Sequence, residues 1–511
     1  MATDRLTALD ASFLHLEDAS SHMHVAGVSL FAGEAPTYQE LLAHVEGRLS
    51  LVPRFRQKLR LVPFGQGRPV WVDDPHFNLE YHVRVTALPP PGSEEQLKNL
   101  ASRVFAQQLD RTKPLWEIWL VEGLGAADPA PRDGSGDEEG SPPGREKRFA
   151  LLSKTHHALV DGIAGVDITA VLFDTARDPE TPPGPGSPWQ PRPEPTSVQL
   201  LGEAMIERAT QPAEVARSAR AAFRAPRRLA RRGLESAAAM GALARTGVGA
   251  PSCFLNVDIG PHRRFDWVRA DLDDVKAIKN KLGGTVNDVV LAVVTGALRG
   301  FMQQRGEVVE GVTLKAMVPV SVRREGEYGM TGNRVAAMMA ALPVHEVDPV
   351  ERLRILSDEL SGLKDSGQAV GAEALTQLAG FAPPTVLAQA GRLQSRQRFF
   401  NLVVTNVPGP QLELYVLGRP LVDVFPLAPL ARRQALCIAV MSYHGRLNFG
   451  LLGDFDAMPD LEVLAQGIRD SIEELRAAAG LGRRRGRRAA RRRQAVATRS
   501  NGATENGDSA G

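Results

Sequence analysis

The chain is expected to adopt a mixed α/β fold of two lobes, each a mixed sheet with flanking helices, and three features of its 511 residues lead there. The length exceeds what one ordinary hydrophobic core supports. Strand-like apolar runs such as Leu314 to Val322 and Phe399 to Val404 alternate with helical stretches such as Val289 to Gln303 and Leu461 to Ala478, which points to an α/β or α+β architecture rather than a bundle or a sandwich of sheets alone. A proline-dominated break at 178–195, DPETPPGPGSPWQPRPEP, lacks the backbone donors that a helix or central strand requires.

Taken in order, the N-terminal stretch MATDRLTALDASFLHLED carries acidic residues where a secretory signal would be basic and then apolar, and no later segment reaches 18 uninterrupted apolar residues. No membrane span is expected. The first lobe is read as residues 1–177. Within it, residues 125–148, GAADPAPRDGSGDEEGSPPGREKR, are too rich in Gly, Pro and charge to bury apolar surface and read as a mobile, disordered insertion. Residues 178–251 form the linker and an Ala/Arg/Leu-rich crossover, broken at Pro212 and Pro226. Its short basic helices have two readings, a crossover packed on the second lobe or a membrane-surface element. The second lobe follows at 252–479. Residues 480–511 form a disordered tail whose stretch from Leu481 carries nine Arg against Glu505 and Asp508.

Hydrophobic content of 43% and charged content of 23% are those of an ordinary globular protein. The basic tail, which lacks aromatic residues, has the charge to touch anionic lipid head groups or nucleic acid, but such runs are usually solvated and disordered, and no nucleic-acid partner is expected. Only Cys253 and Cys437 are present, with no CxxC or Cys/His cluster, which argues against a disulfide framework, a structural zinc and a redox motif, and fits a reducing cytoplasm.

Chemistry concentrates in FALLSKTHHALVDG, residues 149–162. An apolar strand delivers His156 and His157 to its end, and Asp161 and Gly162 are read as opening a helix in which Ile163, Val166, Ala170 and Phe173 recur at helical spacing. Because neighbouring strand residues point to opposite faces, one histidine is the candidate catalyst and the other its support. An imidazole, which titrates near neutrality, can take a proton from an attacking hydroxyl and return it as an intermediate collapses. The adjacent histidines and a turn Asp lack the spacing of a zinc site, so no metal is expected. With no GxSxG elbow, direct transfer in a ternary complex is preferred to an acyl-enzyme. Asp161 either orients the histidine or acts as a helix cap or arginine partner.

HHALVDG resembles the HHxxxDG motif shared by chloramphenicol acetyltransferase, peptide-synthetase condensation domains and the bacterial wax ester synthase/diacylglycerol acyltransferases. The surrounding text resembles the last family almost from end to end: LTALDASFLHLED (6–18), HMHVAG (22–27), VPRFRQKL (52–59), LDRTKPLWEIWLVEGL (109–124), TVNDVVLAVVTGALR (285–299), MVPVSVR (317–323), GNRVAAM (332–338), TNVPGP (405–410) and SYHGRLNFGLLGD (442–454).

This resemblance implies two chloramphenicol-acetyltransferase-like lobes with the active-site channel at their interface. It implies His157 as general base, Asp161 as the accompanying acid, and His156 and Gly162 in support. Acyl-CoA would be the co-substrate, with no other cofactor, and diacylglycerol or a long-chain fatty alcohol the acceptor. The expected location is cytoplasmic, with peripheral contact to the inner membrane or lipid droplets. Asn287 and Asp288 match a second family motif, and Pro114, Leu115 and Trp116 a third, which makes them candidate substrate-binding residues. Read from the residues alone, Thr285 and Asp288 also form a capping box before an apolar helix, and the Pro-Leu-Trp run a packed turn. Two other functions stay open: a condensation-type transferase fed by a carrier protein, and an inactive lipid-surface binding protein. The insertion and the arginine-rich tail depart from the family pattern without removing a catalytic residue.

Overall fold

The computed structural model describes residues 4–125, 147–160, 172–179, 189–206, 249–321, 335–365 and 399–482. In the first half these include β1 (Asp4–Arg5), α1 (Ala8–Leu16), β2 (His24–Ala32), α2 (Tyr38–Glu46), β3 (Gln57–Arg60), β4 (Val70–Asp73), α3 (Leu79–His82), β5 (Val83–Ala87), α4 (Glu94–Phe105), β6 (Trp116–Leu124), β7 (Arg148–His156) and α5 (His157–Val160). The second half adds β8 (Arg263–Asp271), α6 (Leu272–Leu282), α7 (Val286–Gln304), β9 (Leu314–Ser321), β10 (Val335–Leu342) and α8 (Pro349–Asp365). It ends with β11 (Leu402–Pro408), β12 (Tyr415–Val416), β13 (Arg419–Leu427), β14 (Leu436–Tyr443), β15 (Arg446–Asp454) and α9 (Leu461–Ala478).

Two six-stranded mixed sheets define the lobes, as the alternation of strands and helices predicts. The first has the order β12-β13-β2-β7-β6-β5 and the second β10-β9-β11-β14-β15-β8, with a small sheet β1-β4-β3 beside the first. Parallel pairing occurs at β5/β6, β9/β11 and β11/β14. The chain does not keep its halves apart: β12 and β13, from late in the sequence, complete the first sheet by antiparallel pairing of β13 with β2.

Strand alternation sorts the side chains of the first sheet. On β7, Phe149 and Leu151 pack with α2 and Trp116, whereas Ala150 and Leu152 join the core shared with α4 and the second lobe. Lys154 and His156 continue the second series, so the strand aims His156 toward the lobe interface side. In the second lobe, α7 is sheathed by α8, α9 and α6, and its residues from Val289 to Val294 are all buried. Among the described residues no single helix is long and apolar enough to cross a membrane.

Candidate active site

Register brings the histidines together. His24 at the start of β2 lies opposite His156 at the end of β7. The strand ends there, because His156 N–H still donates to Leu115 O at 3.0 Å while His157 N–H donates to Met23 O at 2.8 Å and begins α5. A short helix, α5, therefore starts at His157. Asp161 and Gly162, with Ile163, Val166 and Ala170, lie outside the described residues. The far side of that segment is anchored: Asp174 pairs with Arg48 and exchanges backbone hydrogen bonds with Tyr415, both 2.8 Å. Arg48 Nη1 donates to His44 Nδ1 at 2.7 Å, leaving His44 Nε2–H to donate to Leu172 O at 2.9 Å.

The two adjacent histidines have separate environments. His157 is half-buried and its ring stacks on Phe13 of α1, with centroids 3.9 Å apart and planes 20° from parallel. His156 is fully buried. Its Nδ1 accepts Ala158 N–H at 3.1 Å, which fixes the proton on Nε2, and Nε2 faces Glu17 Oε2 at 3.5 Å. His24 Nε2 stands 3.5 Å from Glu17 Oε1 and accepts Leu109 N–H at 3.3 Å. Both contacts to Glu17 are longer than a good hydrogen bond, and because His24 Nε2 accepts from Leu109 only His156 Nε2 presents a proton to the carboxylate.

Glu17 is the centre of this cluster. Its side chain is 2% exposed, yet Arg111 Nε donates to Oε2 at 2.7 Å, Arg111 Nη2 donates to the same oxygen, and Met23 N–H donates to Oε1 at 3.3 Å. Burial pushes its pKa up, but contacts with His156 and His24 and the charge of Arg111 outweigh burial, so the carboxyl sits far below the usual range. Burial works the other way on the imidazoles and outweighs Glu17: His156 is lowered, and His24 falls to about 3. An ionised carboxylate thus faces two neutral imidazoles, with Arg111 as its standing counter-ion.

Three segments noted in the sequence meet here: 6–18 supplies Phe13 and Glu17, 22–27 supplies Met23 and His24, and 109–124 supplies Leu109, Arg111 and Leu115. Beside them, a small cavity of about 10 Å³, room for about one water, lies between the lobes, lined by His22, His24, Ala26 and Phe105 on one side and by Arg263 and Leu452 among others on the second-lobe side. His157 is not among its lining residues. The second lobe also grips the loop before β2, with Arg432 Nε 2.9 Å from Asp18 Oδ2 and Arg263 donating to Ser20 O.

The remaining candidates sit in structural roles. Leu115 and Trp116 have no exposed surface; Trp116 Nε1–H donates to Phe55 O at 2.8 Å, and its ring stacks between Phe55 and His82. Pro114 is buried beside them. Asp288 is 3% exposed and closes a capping box with Thr285, while Asn287 next to it is half-buried.

With that geometry in place, the comparison with known families is decisive: the model of the wax ester synthase/diacylglycerol acyltransferase catalytic domain matches residues 6–130 and 144–290, and that of the family's C-terminal domain matches 331–476. This chain belongs to the wax ester synthase/diacylglycerol acyltransferase family. A Mycobacterium tuberculosis protein named as a probable diacylglycerol O-acyltransferase is 35% identical over 477 residues, covering 92% of this chain and 96% of that relative. Another from the same species, also named as such a probable enzyme, is 32% identical over 490 residues, 94% of this chain and 100% of its own length.

Among solved structures, the family's enzyme from Marinobacter aquaeolei is 26% identical, with TM-score 0.64 over 94% of this chain and 100% of that one. The starter condensation domain of rhizomide synthetase, at 12% identity and TM-score 0.55 over 94% of each chain, shares the two-lobed fold alone. The catalytic-domain match skips 131–143, inside the Gly/Pro-rich segment that departs from the family pattern. Glu17 and His24 received no site role from the sequence, although both stand in segments that resemble the family. What joins them to His156 is strand register and the end of α1, which a single sequence does not display.

Proposed function

We propose that this chain transfers an acyl group from acyl-CoA to the hydroxyl of diacylglycerol, and to long-chain fatty alcohols, with His157 as general base. The observation that carries this reading is the division of labour at the end of β7. His157 is only half-buried, with its ring stacked on Phe13, whereas His156 is buried and braced between Ala158 N–H and Glu17.

His157 accepts the acceptor's hydroxyl proton as that oxygen attacks the thioester carbonyl. A tetrahedral oxyanion forms and collapses, the carbon–sulfur bond breaks, and CoA thiolate leaves, taking up the proton that His157 holds. No other cofactor takes part. His156 acts as a positioning residue: its Nδ1 holds the first turn of α5, and the Glu17 carboxylate orients its Nε2–H. Asp161 and Gly162 enter the proposal through their place in the family motif. The acceptor's lipid character supports a cytoplasmic protein in peripheral contact with the inner membrane or lipid droplets.

The test is CoA release by purified protein given palmitoyl-CoA with diacylglycerol, hexadecanol or no acceptor. Acceptor-dependent release is expected, reduced in a folded His157→Ala variant by about 10²–10⁴-fold. Near-normal turnover by that variant would remove His157 from this role. Release with neither acceptor would favour a carrier-fed transferase or an inactive lipid-binding protein.

A further inference from the structure

Helix α1 touches both histidines at the end of β7. Phe13 stacks on the His157 ring, and Glu17, one turn further on, faces His156 Nε2. Residues four apart share a helix face, so one short element reaches two neighbouring histidines. Glu17 closes the last turn by donating its N–H to Phe13 O at 3.1 Å, which couples the two positions through the backbone.

The helix is fixed independently of Phe13. At its start Thr7 Oγ1 accepts Asp10 N–H at 3.1 Å, and at its end Arg111 Nη2 donates to Leu14 O at 3.0 Å while Arg111 Nε holds Glu17. Ala11 and Leu14 carry α1 into the core of the first lobe. Phe13 stays half-buried, with its face on the imidazole, so its ring can be exchanged without opening a cavity in that core.

The stack has a chemical consequence. The backbone of His157 is held by Met23 O, 2.8 Å from its N–H, and rotation about the side-chain bonds then sets where the ring nitrogens point. A ring whose centroid lies 3.9 Å away, with 20° between the planes, narrows that rotation. It also discriminates between the two states of the base. When His157 takes the acceptor's hydroxyl proton the imidazole becomes a cation, and the negative face of a benzene ring attracts a cation more strongly than a neutral ring. An interaction that strengthens as the proton moves lowers the barrier instead of merely tightening binding.

We infer that Phe13 is a positioning residue for the transfer: its ring holds the His157 imidazole in plane and stabilises the imidazolium formed as the acceptor is deprotonated. This rests on His157 as general base, and the test separates the two. Values of kcat and KM with palmitoyl-CoA and diacylglycerol are compared for the wild type, Phe13→Leu, Phe13→Tyr, His157→Ala and the Phe13→Leu/His157→Ala double variant. The thermal unfolding of each protein serves as the fold control.

Phe13→Leu should lower kcat about tenfold while KM and the unfolding transition stay in place, and Phe13→Tyr should remain within about threefold of the wild type. Added to His157→Ala, Phe13→Leu should leave the residual turnover unchanged, because the group it acts through is gone. A raised KM at unchanged kcat, equal losses in the Leu and Tyr variants, or the same tenfold loss in the His157→Ala background would overturn the inference. So would an unaltered kcat in Phe13→Leu beside a His157→Ala variant that has lost turnover, which leaves the general base standing. Near-normal turnover by His157→Ala removes the base itself, and the role of Phe13 with it.

Discussion

Glu17 is a carboxylate kept ionised inside the protein by Arg111, and this has a consequence for acid stability. A depressed folded-state pKa stabilises the fold above the ordinary carboxylate range, and that stability is lost as pH falls below it. Glu17→Gln should therefore flatten the acid limb of an unfolding-free-energy profile below about pH 4.5, where the unfolded carboxyl takes up its proton. An unaltered limb would show that Glu17 is not a source of it. The buried imidazoles act at higher pH. Burial lowers His82 to about 4, although its Nδ1–H donates to Trp116 O at 2.8 Å. Between pH 6.5 and about 4 the unfolded chain binds a proton that the folded His82 does not, so stability falls as pH falls through that window. His82→Asn, which keeps a donor near Nδ1 and cannot titrate, should reduce the slope in urea titrations across that range. Of these residues only the histidine pair at the end of β7 was legible in the sequence, because adjacency and strand alternation are local. Glu17 and Arg111 are distant in sequence and meet only after α1 and the β6 loop have packed.

At the scale of elements, the expected helix at 461–478 is found at Leu461–Ala478, and the run expected from Val289 begins at Val286. The difference has a local cause. Thr285 Oγ1 accepts Asp288 N–H at 3.3 Å and Asp288 Oδ2 accepts Thr285 N–H at 2.8 Å, which sets the helix boundary ahead of the apolar run. Asp288→Ala should lower the unfolding free energy by about 1 kcal/mol in denaturant titration, the usual worth of a lost cap. The strand expected from Phe399 starts instead at Leu402, since Phe399 is 37% exposed and Asn401 spends its side-chain oxygen on Lys315 N–H at 2.8 Å. Periodicity locates apolar runs well and their ends less well, because ends are decided by single polar contacts. The Pro114–Leu115–Trp116 run follows the same logic. Trp116 fills the space between Phe55 and His82, so Trp116→Ala should cost about 3–5 kcal/mol, read as a lowered denaturation midpoint.

Across the whole molecule, the lobes are joined by charge at the end of the first sheet remote from the histidines. Arg269 of β8 donates twice to Glu94 of α4, both at 2.9 Å, and once to Asp423 of β13 at 2.9 Å; Arg148 and Arg446 hold the other sides of those carboxylates. Arg269→Leu leaves the buried Asp423 and the partly buried Glu94 short of a counter-charge and should cost about 2 kcal/mol, less than the full loss of a buried pair because Arg269 is 33% exposed. The lobes also touch through backbone: a Cβ at Gly450 of β15 would stand 1.9 Å from Pro426 O of β13. Gly450→Ala forces the sheets apart, with an expected loss of about 3 kcal/mol measured by chemical denaturation. Two lobes and a mixture of strands and helices were legible from length and alternation, and the kind of lobe from the family resemblance. The crossing of β13 was not, because an exchange of strands between lobes leaves no mark on hydrophobic pattern.

That crossing bears on how the protein is made. As the polypeptide emerges during synthesis, β2 and β7 can pair early, but the partner for the outer side of β2 arrives only with residues 421–427. Until then the first lobe presents an open row of backbone donors and acceptors along Ala26 to Phe31, a template to which a neighbouring nascent chain could add a strand. A fragment ending before residue 400 keeps both histidines and lacks that strand. It should accumulate as aggregates, which makes the late strand a maturation step for chemistry encoded some 260 residues earlier.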